Sequence, residues 1–272
     1  REFGLPYPKG ILLAGPPRTG KSLTAKAIAN ELEIPLIRFD VGRIMGKFLG
    51  EASENMFKVT ETVETIGKVV LWIDEAEKLL SGMAPGQVSD SAGAEVARTL
   101  GSFLTWLQDR DPNKMVYVAA TVNNVLALPP ELTGKGRFDE FFWVDFPTQN
   151  ERAQILRIHL AKNNRANHLT EEEIQQVAIL TAGFNGAEME ELVKSGLYDA
   201  FDANSDLSFK FLEKAIEDII PMSIIRKEEM KAMRMWAKEH NVRRVSSETE
   251  EDLDEISSHF DDKKLGKRKI YA

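Results

Sequence analysis

The run Ile11-Leu12-Leu13-Ala14-Gly15-Pro16-Pro17-Arg18-Thr19-Gly20-Lys21-Ser22 leaves this chain few folds to choose from. Four apolar residues, a glycine-bounded turn and the helix-forming stretch Leu23 to Leu32 read as strand, loop and helix. In such a loop the glycines let backbone N–H groups converge on phosphate oxygens, and the helix N-terminus adds partial positive charge. Lys21 is placed to reach the β and γ phosphates of a nucleoside triphosphate, and Ser22 to ligate Mg²⁺. A plain Gly/Pro turn between a buried strand and a helix is the rival reading; the surrounding sequence weighs against it.

That context begins at Val69-Val70-Leu71-Trp72-Ile73-Asp74-Glu75, a buried-strand run ending in two carboxylates. Asp74 is expected to hold Mg²⁺, directly or through water, and Glu75 to polarise an attacking water as general base. Ordinary surface acids at a strand end are the alternative, weakened by the phosphate loop upstream. A further strand, Met115 to Thr121, leads into Val122-Asn123-Asn124. An uncharged amide there can orient water or touch the γ-phosphate without competing for metal; Asn123 is the first choice and Asn124 the reserve, with an Asn-rich turn as the plain alternative.

Composition excludes several other chemistries. The 272 residues contain no cysteine, so thiolate zinc sites, disulfides and cysteine nucleophiles are absent, and the four histidines are scattered. A net charge of −8 argues against a large nucleic-acid footprint. No apolar run approaches bilayer length and no signal peptide is evident, which points to a cytoplasmic (or organelle stroma) protein. The chain starts at Arg1 without a methionine, as expected of a fragment.

Short apolar runs at Ile11 to Ala14, Leu36 to Asp40, Val69 to Asp74, Met115 to Thr121 and Phe141 to Phe146 alternate with helix-length segments. They predict an α/β domain over residues 1–147 with a five-stranded parallel sheet in a three-layer arrangement. Helical periodicity then takes over, with capping-box spacing at Thr148/Glu151 and Thr170/Glu173, and predicts a small all-helical lid domain over 148–244. Residues 245–272, acidic and then basic, read as a flexible, solvated tail.

Taken together these motifs resemble the classical AAA group of ring-forming ATPases, a P-loop NTPase fold. Gly15 to Ser22 is similar to Walker A, Val69 to Glu75 to Walker B, Ala119 to Asn124 to sensor 1, Leu128 to Asp139 to the second region of homology, and Gly183 to Glu188 to the lid-helix entrance. The likeness runs from Leu5 to about Arg244, and the spelling Lys135-Gly136-Arg137-Phe138-Asp139-Glu140 is most similar to hypothetical AAA proteins of plastid and cyanobacterial type. The resemblance implies ATP and Mg²⁺ as ligands, contacts from Gly15, Pro16, Pro17, Arg18, Thr19, Gly20, Lys21, Ser22, Leu23, Asp74, Gly186 and Ala187, and self-association into a ring, a hexamer.

In such rings the site lies between subunits, and Arg137 matches the family's second arginine-finger position; a structural salt bridge to a nearby acid such as Asp139 is the alternative. The first finger position falls on Gly134, where relatives carry arginine, and Lys135 is a poor substitute for a planar guanidinium. Arg18 replaces the usual glycine and is expected to strain or re-turn the loop with its side chain in solvent. Phe48 and Leu49 fall where the family places its first pore loop, which grips a polypeptide, and Gly82 to Gly93 reads as a flexible second loop. The terminal Ile270-Tyr271-Ala272 resembles the ending by which some AAA rings dock into a proteasome core; an inert tail is the favoured reading of three residues. The expectation is an ATP-hydrolysing ring module that remodels or unfolds a protein partner, with a nucleotide-dependent switch or scaffold of weak hydrolysis as the alternative and nucleic acid the less favoured partner.

Overall fold

All five apolar runs become strands, because each offers β-branched or aromatic residues that both faces of a sheet can bury. The computed structural model describes residues 7–40, 51–80, 91–128, 132, 136–246 and 251–258. Within them lie β1 (Gly10–Ala14), α1 (Lys21–Glu31), β2 (Leu36–Asp40), α2 (Glu51–Ile66), β3 (Lys68–Asp74), α3 (Ser91–Asp109), β4 (Met115–Val122) and β5 (Glu140–Trp143). The sheet order is β2-β3-β4-β1-β5-β6, and every pairing is parallel. The chain divides into two compact units, Arg1–Val144 with Trp236–Arg244, and Asp145–Met235 with Val245–Ala272.

In the first unit, the sheet is covered on both faces. Ala25 and Ala29 of α1 pack against Val70, Trp72 and Ala119, the small alanines letting the helix approach closely. On the other face Phe39 of β2 stacks on Phe103 of α3, with ring centroids 6.1 Å apart. The α/β/α layering is as expected.

The sheet differs from expectation by one strand. Arg243–Arg244, placed by sequence in the lid, forms β6 beside β5, with Phe142 paired to Arg243 and Trp143 to Arg244. Two arginines carry no apolar alternation, and backbone pairing alone makes them a strand. The expected second loop, Gly82 to Gly93, lies outside the described residues except for 91–93, which open α3.

The second unit is helical: α4 (Gln149–Lys162), α5 (Glu171–Leu180), α6 (Gly186–Asp202), α7 (Phe209–Asp218), α8 (Met222–Ile225) and the greater part of α9 (Lys227–Glu239). Both expected capping boxes form, Thr148 with Glu151 and Thr170 with Glu173, and a third, Asn185 with Glu188, opens α6. Leu156, Leu160, Val177, Phe184, Leu192 and Leu212 fill its core. Residues 251–258 correct the reading of 245–272 as a solvated tail. Leu253 and Ile256 are buried, and Glu251 pairs with Arg152. Two apolar residues on one turn are enough to seat this acidic segment. Among the described residues no helix is long and apolar enough to cross a membrane.

Candidate functional site

Parallel strands deliver their carboxyl ends to one edge of the sheet, the edge where open α/β folds bind ligands. The register pairs Ala14 with Val122 and Ile73 with Ala120, so the Gly15 loop, Asp74-Glu75 and Thr121 to Asn123 emerge together.

The loop turns on Gly15 and Gly20. Gly15 has φ of 152°, and a Cβ there would sit 1.9 Å from the Val144 carbonyl oxygen, so only glycine fits. Gly20 caps α1 at φ 101°, with no side chain bonded to the cap, which leaves the helix N-terminus to a ligand. Thr19 Oγ1 donates to Pro16 O at 2.8 Å and braces the turn. Arg18 occupies the left-handed region at φ 64° with its side chain exposed. The strain expected of a non-glycine residue is therefore present, at about 1 kcal/mol.

Lys21 is 3% exposed, and its ammonium donates to the loop's own carbonyls, Gly15 O at 2.8 Å and Pro16 O at 2.5 Å. Burial lowers its pKa to about 8, with Glu77 and Asp74 opposing the shift. Leu23, one turn into α1, is exposed.

The Asp74 carboxylate is held from three sides. Oδ1 accepts from the Thr121 hydroxyl at 2.8 Å and from Ser22 at 3.3 Å, and Oδ2 accepts from Arg38 at 2.9 Å. Glu75 adopts φ 54°, and its backbone N–H donates to Thr121 Oγ1 at 3.1 Å. That turn points its carboxylate at Asn123, whose Nδ2 donates to Oε1 at 3.2 Å; the other oxygen pairs with Lys78. Asn124 instead caps the short helical turn Val125–Ala127, accepting from Leu126 N.

Ser22 and Asp74 are hard oxygen donors 3.3 Å apart, the chemistry Mg²⁺ accepts while taking its remaining ligands from phosphate and water. No cluster of three or more His, Asp or Glu that could hold a metal by itself occurs among the described residues.

Three participants were not legible beforehand. Glu77 accepts Asn123 N–H at 3.0 Å, while its second oxygen is buried without a partner; burial raises its pKa, with neighbouring Glu75 adding to the rise. Its signal was a third acid in the run Asp74 to Glu77. Thr121 was read only as the end of a strand, and Arg38 only as part of the strand run Leu36 to Asp40.

Arg137 stands elsewhere. It precedes β5, whose first residue Glu140 pairs with Ile11, so it lies at the amino edge of the sheet, away from its own loop. The four steps from Ile11 to Gly15 alone span about 13 Å. Its Nε is buried without a partner, and the expected alternative, a salt bridge to Asp139, does not form among the described residues; Asp139 Oδ2 accepts from Gly10 N at 2.8 Å.

Gly186 and Ala187 open α6 in the second unit, where Asn185 Oδ1 takes the N–H groups of Ala187 and Glu188 at 2.9 and 3.0 Å. Phe48, Leu49, Gly134, Lys135, Ile270, Tyr271 and Ala272 lie outside the described residues.

Residues 11–146 match the family described as "ATPase family associated with various cellular activities (AAA)". The chain is 36% identical over 245 residues to the "Uncharacterized AAA domain-containing protein ycf46" of Pyropia yezoensis, covering 90% of this chain and 48% of that one. It is 37% identical over 248 residues to the ycf46 protein of Trieres chinensis, with the same two shares. It is 33% identical over 220 residues to the "Proteasome-activating nucleotidase" of Aeropyrum pernix, covering 80% and 53%. The chain thus spans about half the length of the curated relatives it matches.

Proposed function

The chain belongs to the ATPase family associated with various cellular activities, and from that premise we propose that it hydrolyses Mg-ATP at a site completed by Arg137 of a neighbouring copy. ATP hydrolysis is the activity of that family. The observation that carries the residue assignment is the Glu75–Asn123 pair, held at 3.2 Å beside the phosphate loop.

Lys21 turns from Gly15 O and Pro16 O to the phosphates, exchanging two carbonyls for anionic oxygens. Ser22 and Asp74 would hold Mg²⁺, which when bound would neutralise phosphate charge. Asn123 orients water, and Glu75 takes its proton as the oxygen attacks the γ-phosphorus and the bond to ADP breaks. Lys78, ion-paired to the far oxygen of Glu75, fixes the position of that carboxylate.

Arg137 serves the neighbour. A guanidinium at the amino edge cannot reach phosphates at the carboxyl edge of its own sheet, and the Arg137 side chain is only partly buried. A ring, six copies in the family pattern, supplies that geometry, and its work is the remodelling or unfolding of a protein gripped by Phe48 and Leu49. A nucleotide-dependent switch with weak hydrolysis is the second reading, favoured by the left-handed Arg18 and by glycine at position 134.

Steady-state ATPase activity against protein concentration, with mass followed by light scattering, tests the first reading. Turnover per subunit should rise with assembly and collapse in Arg137→Ala. Flat, negligible turnover with tight ATP binding would favour the switch. Phe48→Ala should abolish remodelling while sparing basal hydrolysis; unimpaired remodelling removes the threading role.

A further inference from the structure

Arg38 sits in the middle of β2, the edge strand, in register with Trp72 of β3. Its guanidinium lies over the Trp72 ring, 4.9 Å from the centroid, and Nη2 donates to Oδ2 of Asp74 at 2.9 Å. With Thr121 and Ser22 on Oδ1, neither oxygen of Asp74 is bare. The cation in direct contact with this carboxylate comes from the neighbouring strand.

The pair is built to be exchangeable. Arg38 is 57% exposed, Asp74 only 21%, and a single guanidinium nitrogen makes the contact. An ion pair this wet is screened and weak, so a divalent cation can displace it. The Trp72 ring gives the guanidinium a second seat, so release from Asp74 does not require it to leave the site's rim. Lys26 of α1 also faces that ring, 5.6 Å from its centroid, and adds to the positive field that a metal must enter.

We infer that Arg38 is a positioning residue that holds Asp74 in the metal-free site and competes with Mg²⁺ for it, setting how much Mg²⁺ nucleotide binding requires. This rests on the reading of Ser22 and Asp74 as the metal-binding pair.

The test is a Mg²⁺ titration of the binding of a fluorescent ADP analogue, starting from EDTA, for wild type, Arg38→Gln and Arg38→Lys. The half-saturating Mg²⁺ concentration should fall about three- to tenfold in Arg38→Gln and lie between in Arg38→Lys, with affinity in EDTA unchanged. An unchanged or raised Mg²⁺ requirement in Arg38→Gln overturns the inference and leaves the metal reading standing. Wild-type binding that ignores Mg²⁺ overturns both. A metal-free readout comes from melting in EDTA. Arg38→Gln should lower the melting temperature slightly in the wild-type background and not in Asp74→Asn; equal losses in the two backgrounds would refute the pairing.

Discussion

Lys21 and Arg152 are both buried cations, 3% and 1% exposed, yet the protein treats them in opposite ways. Arg152, in the second unit, is saturated. It donates five hydrogen bonds: Nε and Nη2 to Ala178 O at 3.0 and 2.8 Å, Nη1 to Pro147 O at 2.7 Å, and two to Glu251 at 2.9 and 2.8 Å. Lys21, in the first unit, has two loop carbonyls and, among the described residues, no carboxylate in contact. A buried charge with every donor matched ties helices together; one left short of anionic partners is held for a ligand. At the phosphate site Arg18 and Glu75 both adopt positive φ, whereas the described non-glycine residues of the second unit that do so are Asn164 and Asn204, a residue type that tolerates it.

Four substitutions or conditions press on that contrast. The largest effect belongs to the strained, under-satisfied side. Glu75→Gln should cut turnover about 10²- to 10⁴-fold while ATP binding and melting temperature stay near wild type. Normal turnover would remove Glu75 from the chemistry. On the saturated side the effect should appear in stability. Arg152→Met strands Ala178 O, Pro147 O and Glu251 and should cost about 3 kcal/mol in denaturant unfolding. A loss under about 1 kcal/mol would show that the network is dispensable.

Next comes pH. Lys21 titrates near 8 when folded against an ordinary value of 10.5, so between those limits the nucleotide-free protein binds fewer protons than the unfolded chain. Its stability should therefore gain from this group as pH rises through that window, whereas ATP affinity, which needs the ammonium form, should fall by up to about tenfold per unit. Calorimetry in buffers of different ionisation enthalpy should show proton uptake on binding above pH 8, and Lys21→Arg should flatten the profile. A flat wild-type profile contradicts the contrast between the two cations. The smallest effect is Arg18→Gly, which relieves a left-handed arginine and should stabilise the protein by about 1 kcal/mol. Destabilisation would mean that the arginine makes compensating contacts.

Much of the site was legible because its parts are local. The loop, Asp74, Glu75 and Asn123 each follow an apolar strand run, and strand ends are readable from periodicity. The capping boxes at Thr148 and Thr170 were legible for the same reason, since their hydrogen bonds span three residues. What escaped is non-local. Arg38 meets Asp74 through strand register across 36 residues, and Arg152 meets Glu251 across 99, in a segment that composition alone marks as solvated. Arg243 and Arg244 became a strand through pairing with β5, without any hydrophobic signature.

By itself the sequence determined the parallel α/β class, the phosphate loop and the identities of its lysine, acids and amide, because short-range sterics and hydrophobic periodicity act within a few residues. The tertiary structure decided which charges are matched and which are left waiting, that Arg137 lies at the sheet edge opposite its own loop, and that Asp74 is shared with Arg38. Those are properties of register and packing between distant segments, and no local rule contains them.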